Sequence, residues 1–122
     1  MPTKILTVDD SRSMRALLRM TLTGSGFDVV EAEDGQAALD WLEENEVDLI
    51  ITDINMPRLD GFGFIEKLRA EQRRHVDRPI LVLTTECTQE KRERAREAGA
   101  SGWIVKPFDP ERLVAAVRYV VH

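Results

Sequence analysis

Val47-Asp48-Leu49-Ile50-Ile51-Thr52-Asp53 is the stretch on which the reading of the fold turns. From Val47 to Thr52 the residues are mostly apolar and rich in β-branched types, with little polar alternation. A run this short suits a strand better than a helix, and its continuity suits a strand covered on both faces, as in a parallel sheet. Asp53 then places a charge where that strand leaves the interior.

Four further short apolar runs flank it: Ile5 to Val8, Val29-Val30, Ile80 to Leu83, and Trp103 to Val105. Segments of helical period lie between them. Met14, Leu17, Leu18 and Leu22 recur at that spacing, as do Phe64, Ile65 and Leu68; Leu113, Val114, Ala116, Val117, Val120 and Val121 form one stripe. Asp109 before Pro110 reads as a cap followed by proline at the first helical position. Ser11 or Ser13 and Asp34 are the cap candidates for the first two helices, and Gly24, Gly26 and Gly99 mark stops. Strand and helix alternate through five rounds. The pattern predicts an α/β fold, a doubly wound parallel sheet of five strands with five helices. Right-handed crossovers place the carboxyl ends of all strands along one edge, where ligands bind.

The 122 residues suffice for a single domain, assigned to 1–122, since no repeat, linker or low-complexity tract divides them. Hydrophobic residues at 43% and charged residues at 32% fit a folded globular chain and argue against disorder. No apolar stretch is long enough to span a bilayer, the N-terminus does not read as a signal peptide, and the single cysteine, Cys87, has no internal partner. Together these features predict a cytoplasmic protein, expected to be a monomer without membrane contact. A net charge of −5 argues against a nucleic-acid partner. The basic stretches (Arg69, Arg73 and Arg74, then Lys91, Arg92, Arg94 and Arg96) are interleaved with glutamates, a pattern that predicts solvated helix faces with i,i+4 pairs.

The strand ends carry the chemistry. The first ends at Asp9-Asp10, the third at Asp53, the fourth at Thr84-Thr85 and the fifth at Lys106-Pro107. Two unit charges about 5 Å apart repel by roughly 3 kcal/mol at an effective dielectric near 20. Three carboxylates gathered on one edge therefore call for a cation, and Mg²⁺ suits few carboxylates, waters and a phosphate oxygen. Lys106 adds a positive charge and Thr84 a neutral donor. This is the equipment of phosphoryl transfer onto a carboxylate, with Asp53 as the nucleophile. His75 and His122 fall away from these ends, and a carboxylate ionised at neutral pH needs no base.

Taken in order, VDDSRSMR (8–15), TDINMPRLDG (52–61), TTE (84–86) and AGASGWIVKPF (98–108) resemble the response-regulator receiver family and its CheY-like chemotaxis branch. The resemblance covers nearly the whole chain. It implies the flavodoxin-like strand order 2-1-3-4-5. It also implies that Asp9, Asp10, Asp53 and the Asn55 backbone carbonyl hold Mg²⁺, that Asp53 accepts the phosphoryl group from a CheA-like histidine kinase, and that the Lys106–Pro107 bond is cis. Thr84 and the aromatic residue three before Lys106 would form the switch. That residue is Trp103, where the family has Tyr or Phe, so two readings stay open: a rotating switch partner, or a cover for the sheet edge. Glu86 and Asn55 occupy positions that tune dephosphorylation in the family. The weakly anchored helix from Gln89 to Ala98, with the fifth strand and last helix, is the expected partner surface, the motor switch protein FliM being one candidate target. Trp41 and Cys87 read as packing residues. Alternatives are a phosphate sink without output, a receiver cut from a longer regulator, and a small Mg²⁺-dependent phosphohydrolase.

Overall fold

The computed structural model describes residues 2–71, 77–86 and 88–121. The expectations for Arg73, Arg74, His75, Cys87 and His122 lie outside the described residues. The elements run β1 (Lys4–Val8), α1 (Arg12–Thr23), β2 (Asp28–Ala32), α2 (Gly35–Leu42), β3 (Leu49–Thr52), α3 (Gly61–Glu71), β4 (Ile80–Thr84), α4 (Gln89–Ala98), β5 (Gly102–Val105) and α5 (Pro110–Val121). All strands pair in parallel, in the order β2-β1-β3-β4-β5. This is the doubly wound architecture that the alternating pattern predicts.

The apolar runs are continuous because successive residues serve opposite faces. Ile5, Leu49, Ile51, Leu81 and Leu83 pack with Leu18, Leu22, Leu113 and Val117 beneath α1 and α5. Leu6, Val8, Ile50, Ile80 and Val82 pack with Leu39, Phe64, Ile65, Leu68 and Ala95 beneath α2, α3 and α4. Trp41 packs against this second layer as a partly buried residue.

Helix starts follow side-chain chemistry. Ser11 caps α1, its hydroxyl accepting from the Met14 N–H at 3.2 Å; Asp34 caps α2 and Thr88 caps α4. Gly99 ends α4 in the left-handed region at φ +113°, which a side chain adopts only under strain.

Three expectations need correction. The strand itself spans only Leu49–Thr52: Val47 is buried ahead of it, and Asp48 meets Lys4 by donating its N–H to the Lys4 carbonyl at 2.8 Å and accepting the Lys4 N–H on its carboxylate at 2.8 Å. Leu17 does not join the buried stripe of α1. It is 45% exposed, because Leu18 and Leu22 take the inward direction. The charged residues of α4 also make contacts off their own helix: Lys91 reaches Glu86 at 3.0 Å, and the Arg94 guanidinium lies 4.2 Å from the centre of the Phe62 ring.

Candidate phosphoryl-acceptor site

Each strand end hands its last polar residue to one rim through the ladder itself. The Asp9 N–H donates to the Ala32 carbonyl at 3.2 Å, Asp53 N–H to Val8 at 3.0 Å, and Lys106 N–H to Thr84 at 2.8 Å. Parallel pairing thus continues one residue past each strand and fixes where these side chains emerge. Asp9, Asp53 and Thr84 are buried; Asp10 faces solvent.

Carboxylate oxygens of Asp9, Asp10 and Asp53 lie within 4.8 Å of one another. The Lys106 ammonium sits between two of them, 2.8 Å from Asp9 Oδ2 and 2.9 Å from Asp53 Oδ2. Burial alone would lower the Lys106 pKa, but the hydrogen bonds and charges of Asp9 and Asp53 outweigh it and raise the pKa above its ordinary value. One ammonium cannot neutralise three carboxylates. The remaining charge and the oxygen-only donor set fit a hard divalent cation, with Asp10 open to water on the exposed side.

The carboxylates are also oriented from behind. Asp53 Oδ1 accepts the N–H groups of Ile54 at 2.7 Å and Asn55 at 3.3 Å, and Asp9 Oδ1 accepts that of Ser11 at 2.9 Å. The second oxygen of each is thereby aimed at Lys106. Thr84 is fully buried at the end of β4, its hydroxyl accepting weakly from the Glu86 N–H at 3.4 Å. Asn55 is exposed on the β3–α3 loop, its side-chain amide donating to Glu86 at 3.3 Å. Lys91 first and Asn55 second hold the Glu86 carboxyl below its ordinary pKa. Trp103 is half-buried, with its indole N–H donating to the Glu86 carbonyl at 3.1 Å, so the ring is turned toward the β4–α4 loop. The Lys106–Pro107 peptide bond is cis.

Three contributors escape a reading of strand ends. Arg15, on α1, donates to the Asp9 carbonyl at 2.5 Å and to Glu31 at 3.2 Å, tying the acidic turn to β2. Its place four residues after the Ser11 cap is the signal that could have found it. Gly61 lets α3 begin directly against the acceptor strand. A Cβ there would stand 2.3 Å from the Asp53 carbonyl oxygen and 2.6 Å from the Ile54 Cα, both backbone atoms. Arg58 pairs with Asp34, 24 positions away, and no local pattern announces that partnership.

Residues 5–118 match the family model of the response regulator receiver domain. A chemotaxis protein CheY homolog of Campylobacter jejuni is 46% identical over 112 residues, covering 90% of this chain and 85% of that protein. A probable transcriptional regulator, ycf27, of Porphyridium aerugineum is 40% identical across 97% of this chain, which spans only 48% of that relative's length. Among solved structures, chemotaxis protein CheY4 of Vibrio cholerae superposes with a TM-score of 0.93 at 42% identity, covering 98% of this chain and 99% of that one. The chain belongs to the response regulator receiver domain family and is CheY-like in fold and sequence.

Proposed function

We propose that this receiver is a phosphorylation switch in which Asp53 accepts a phosphoryl group with Mg²⁺ bound beside it. The observation that carries this is the meeting of Lys106 with Asp9 and Asp53 at 2.8 and 2.9 Å, on a rim where three carboxylates crowd within 4.8 Å. Asp9, Asp10, Asp53 and the Asn55 backbone carbonyl would hold the ion, which when bound offsets charge on the phosphoryl oxygens. An Asp53 carboxylate oxygen attacks phosphorus as the bond from phosphorus to the donor's leaving group breaks. Lys106, already charged and already aimed, transfers one of its hydrogen bonds to the incoming phosphoryl oxygens. Thr84 supplies a hydroxyl from the neighbouring strand. The protein's part is position and charge: the phosphoryl group ends on its own side chain and the dephosphorylated donor departs.

The donor in this reading is a CheA-like histidine kinase, and the output a protein target in motility control. High identity to a chemotaxis protein over most of both chains supports that choice. The face of α4, β5 and α5 is the proposed partner surface; it presents Val105 at 41% and Tyr119 at 79% exposure. Trp103, tied to the β4–α4 loop, is the proposed reporter of phosphorylation on that face.

Labelling by a small acyl phosphate, with and without Mg²⁺, tests the chemistry. The native chain should take up one phosphoryl group only when Mg²⁺ is present, and Asp53→Asn should take up none. Equal labelling of both chains would reject Asp53 as the acceptor, and catalytic turnover of a phosphomonoester would instead favour a phosphohydrolase.

A further inference from the structure

The β3–α3 loop turns back on itself at a residue in a rare backbone state. Arg58 has φ +67°, the only positive φ at a residue other than glycine among the described residues. The Leu59 N–H donates to the Pro57 carbonyl across it at 2.7 Å, closing a three-residue turn of the strained kind. Such a state persists only where its surroundings hold it.

The surroundings are specific. Arg58 Nε lies 3.0 Å from Asp34 Oδ2, and a second guanidinium nitrogen donates to the same oxygen. Asp34 is 3% exposed, and its other oxygen caps α2 by accepting the Ala37 N–H at 2.8 Å. Burial pushes the Asp34 carboxyl up, yet the Ala37 N–H and Arg58 together hold it below its ordinary value. The loop rests directly on the start of α2, since a Cβ on Gly35 would meet the Leu59 carbonyl oxygen at 3.0 Å. On the other side, only three positions before Arg58, Asn55 donates its N–H to Asp53 at 3.3 Å. The strained turn therefore lies between an anchored helix start and the acceptor aspartate.

We propose that the Arg58–Asp34 ion pair is a clamp on this turn that sets the place of Asn55 beside Asp53, and so tunes the cation site from outside it. Both are positioning residues. The inference rests on the reading of Asp9, Asp10 and Asp53 as a Mg²⁺ site.

Calorimetric titration of Mg²⁺ into the full chain separates a clamp from a simple charge effect by sign. Arg58→Ala removes a positive charge near a cation site, so through-space electrostatics alone would tighten binding; Asp34→Asn removes a negative charge and would loosen it. The clamp predicts that both weaken binding, by about tenfold, the lower end of what outer-shell orienting groups contribute. Arg58→Gly also lacks the pair, but glycine adopts the turn without strain. It should stay within about threefold of the native affinity, the scale of glycine's entropy cost. Arg58→Ala binding as tightly as the native chain, the two charge variants moving in opposite directions, or Arg58→Gly falling as far as Arg58→Ala would each overturn the clamp. Should Asp34→Asn fail to fold, the alanine and glycine variants at position 58 decide alone. A native chain that takes up no Mg²⁺ would instead sink the cation site itself.

Discussion

Helices α3 and α4 lie side by side on the same face of the sheet and are held by different physics. α3 buries Phe62, Phe64, Ile65 and Leu68, whereas α4 buries Ala95 alone. In place of apolar burial, α4 has polar ties. Arg69 donates to the Gly99 carbonyl at 2.8 Å, Arg94 covers the Phe62 ring, and Lys91 pairs with Glu86. Apolar burial is non-directional and is lost only by moving out of the core. Exposed ion pairs contribute little each and can be exchanged for water or another partner. The half of the molecule that carries Asp9 and Asp53 is thus held chiefly by burial, whereas α4, in the half beside Thr84 and Lys106, is held by polar ties that water can replace.

The largest test of this contrast is the cost of truncation. Leu68→Ala should lower unfolding free energy in urea by about 4 kcal/mol, as expected for a fully buried leucine that leaves a cavity. Arg94→Ala should lower it by less than about 1 kcal/mol. Comparable losses at the two positions would erase the distinction between the helices.

Lys106 sharpens the contrast because it joins the two halves. It stands just past β5, yet its ammonium is held by carboxylates past β1 and β3, and its side chain is only 10% exposed. Removing one partner of a buried charge cluster leaves the others uncompensated. Lys106→Ala should therefore destabilise the Mg²⁺-free protein by about 3 kcal/mol, and added Mg²⁺ should restore more stability to the variant than to the native chain. Thermal unfolding with and without Mg²⁺ measures both. A variant as stable as the native chain without the ion would mean that Lys106 is dispensable to the resting site.

What the sequence discloses follows the same division. Strands read clearly because both faces are buried and leave continuous apolar runs, as in Leu49–Thr52 and Ile80–Thr84. Residues at strand ends are legible for the same reason, since the strand fixes where Asp9, Asp53, Thr84 and Lys106 emerge. Contacts between loops leave no such trace. Arg58 reaches Asp34 across 24 positions, and Gly61 is required by a backbone approach that only coordinates reveal. Leu17 was misleading because a helical period tolerates one residue of rotation at the edge of an apolar stripe. The polar ties of α4 were hidden too: a charged helix reads as solvated, and its sequence does not say that Arg94 lies on an aromatic ring.

The smallest expected effect concerns a polar anchor inside the half that is otherwise held by burial. Asp34 has a folded pKa below its ordinary 3.8, because the Ala37 N–H and Arg58 outweigh burial. A carboxyl with a depressed folded value contributes stability that is fully present above its unfolded value and is lost as pH falls through the folded one. Asp34→Asn keeps an oxygen for the cap but loses the charge that Arg58 meets. The native chain should therefore exceed this variant in stability at neutral pH, and the gap should close as pH drops below 3.8. Urea midpoints of both chains across that range provide the measurement. A gap that stays constant into acid would show that the asparagine lost something other than charge, such as cap geometry. Arg58 would then be held by shape rather than by its ion pair, and the fixed half would owe nothing to electrostatics at this point.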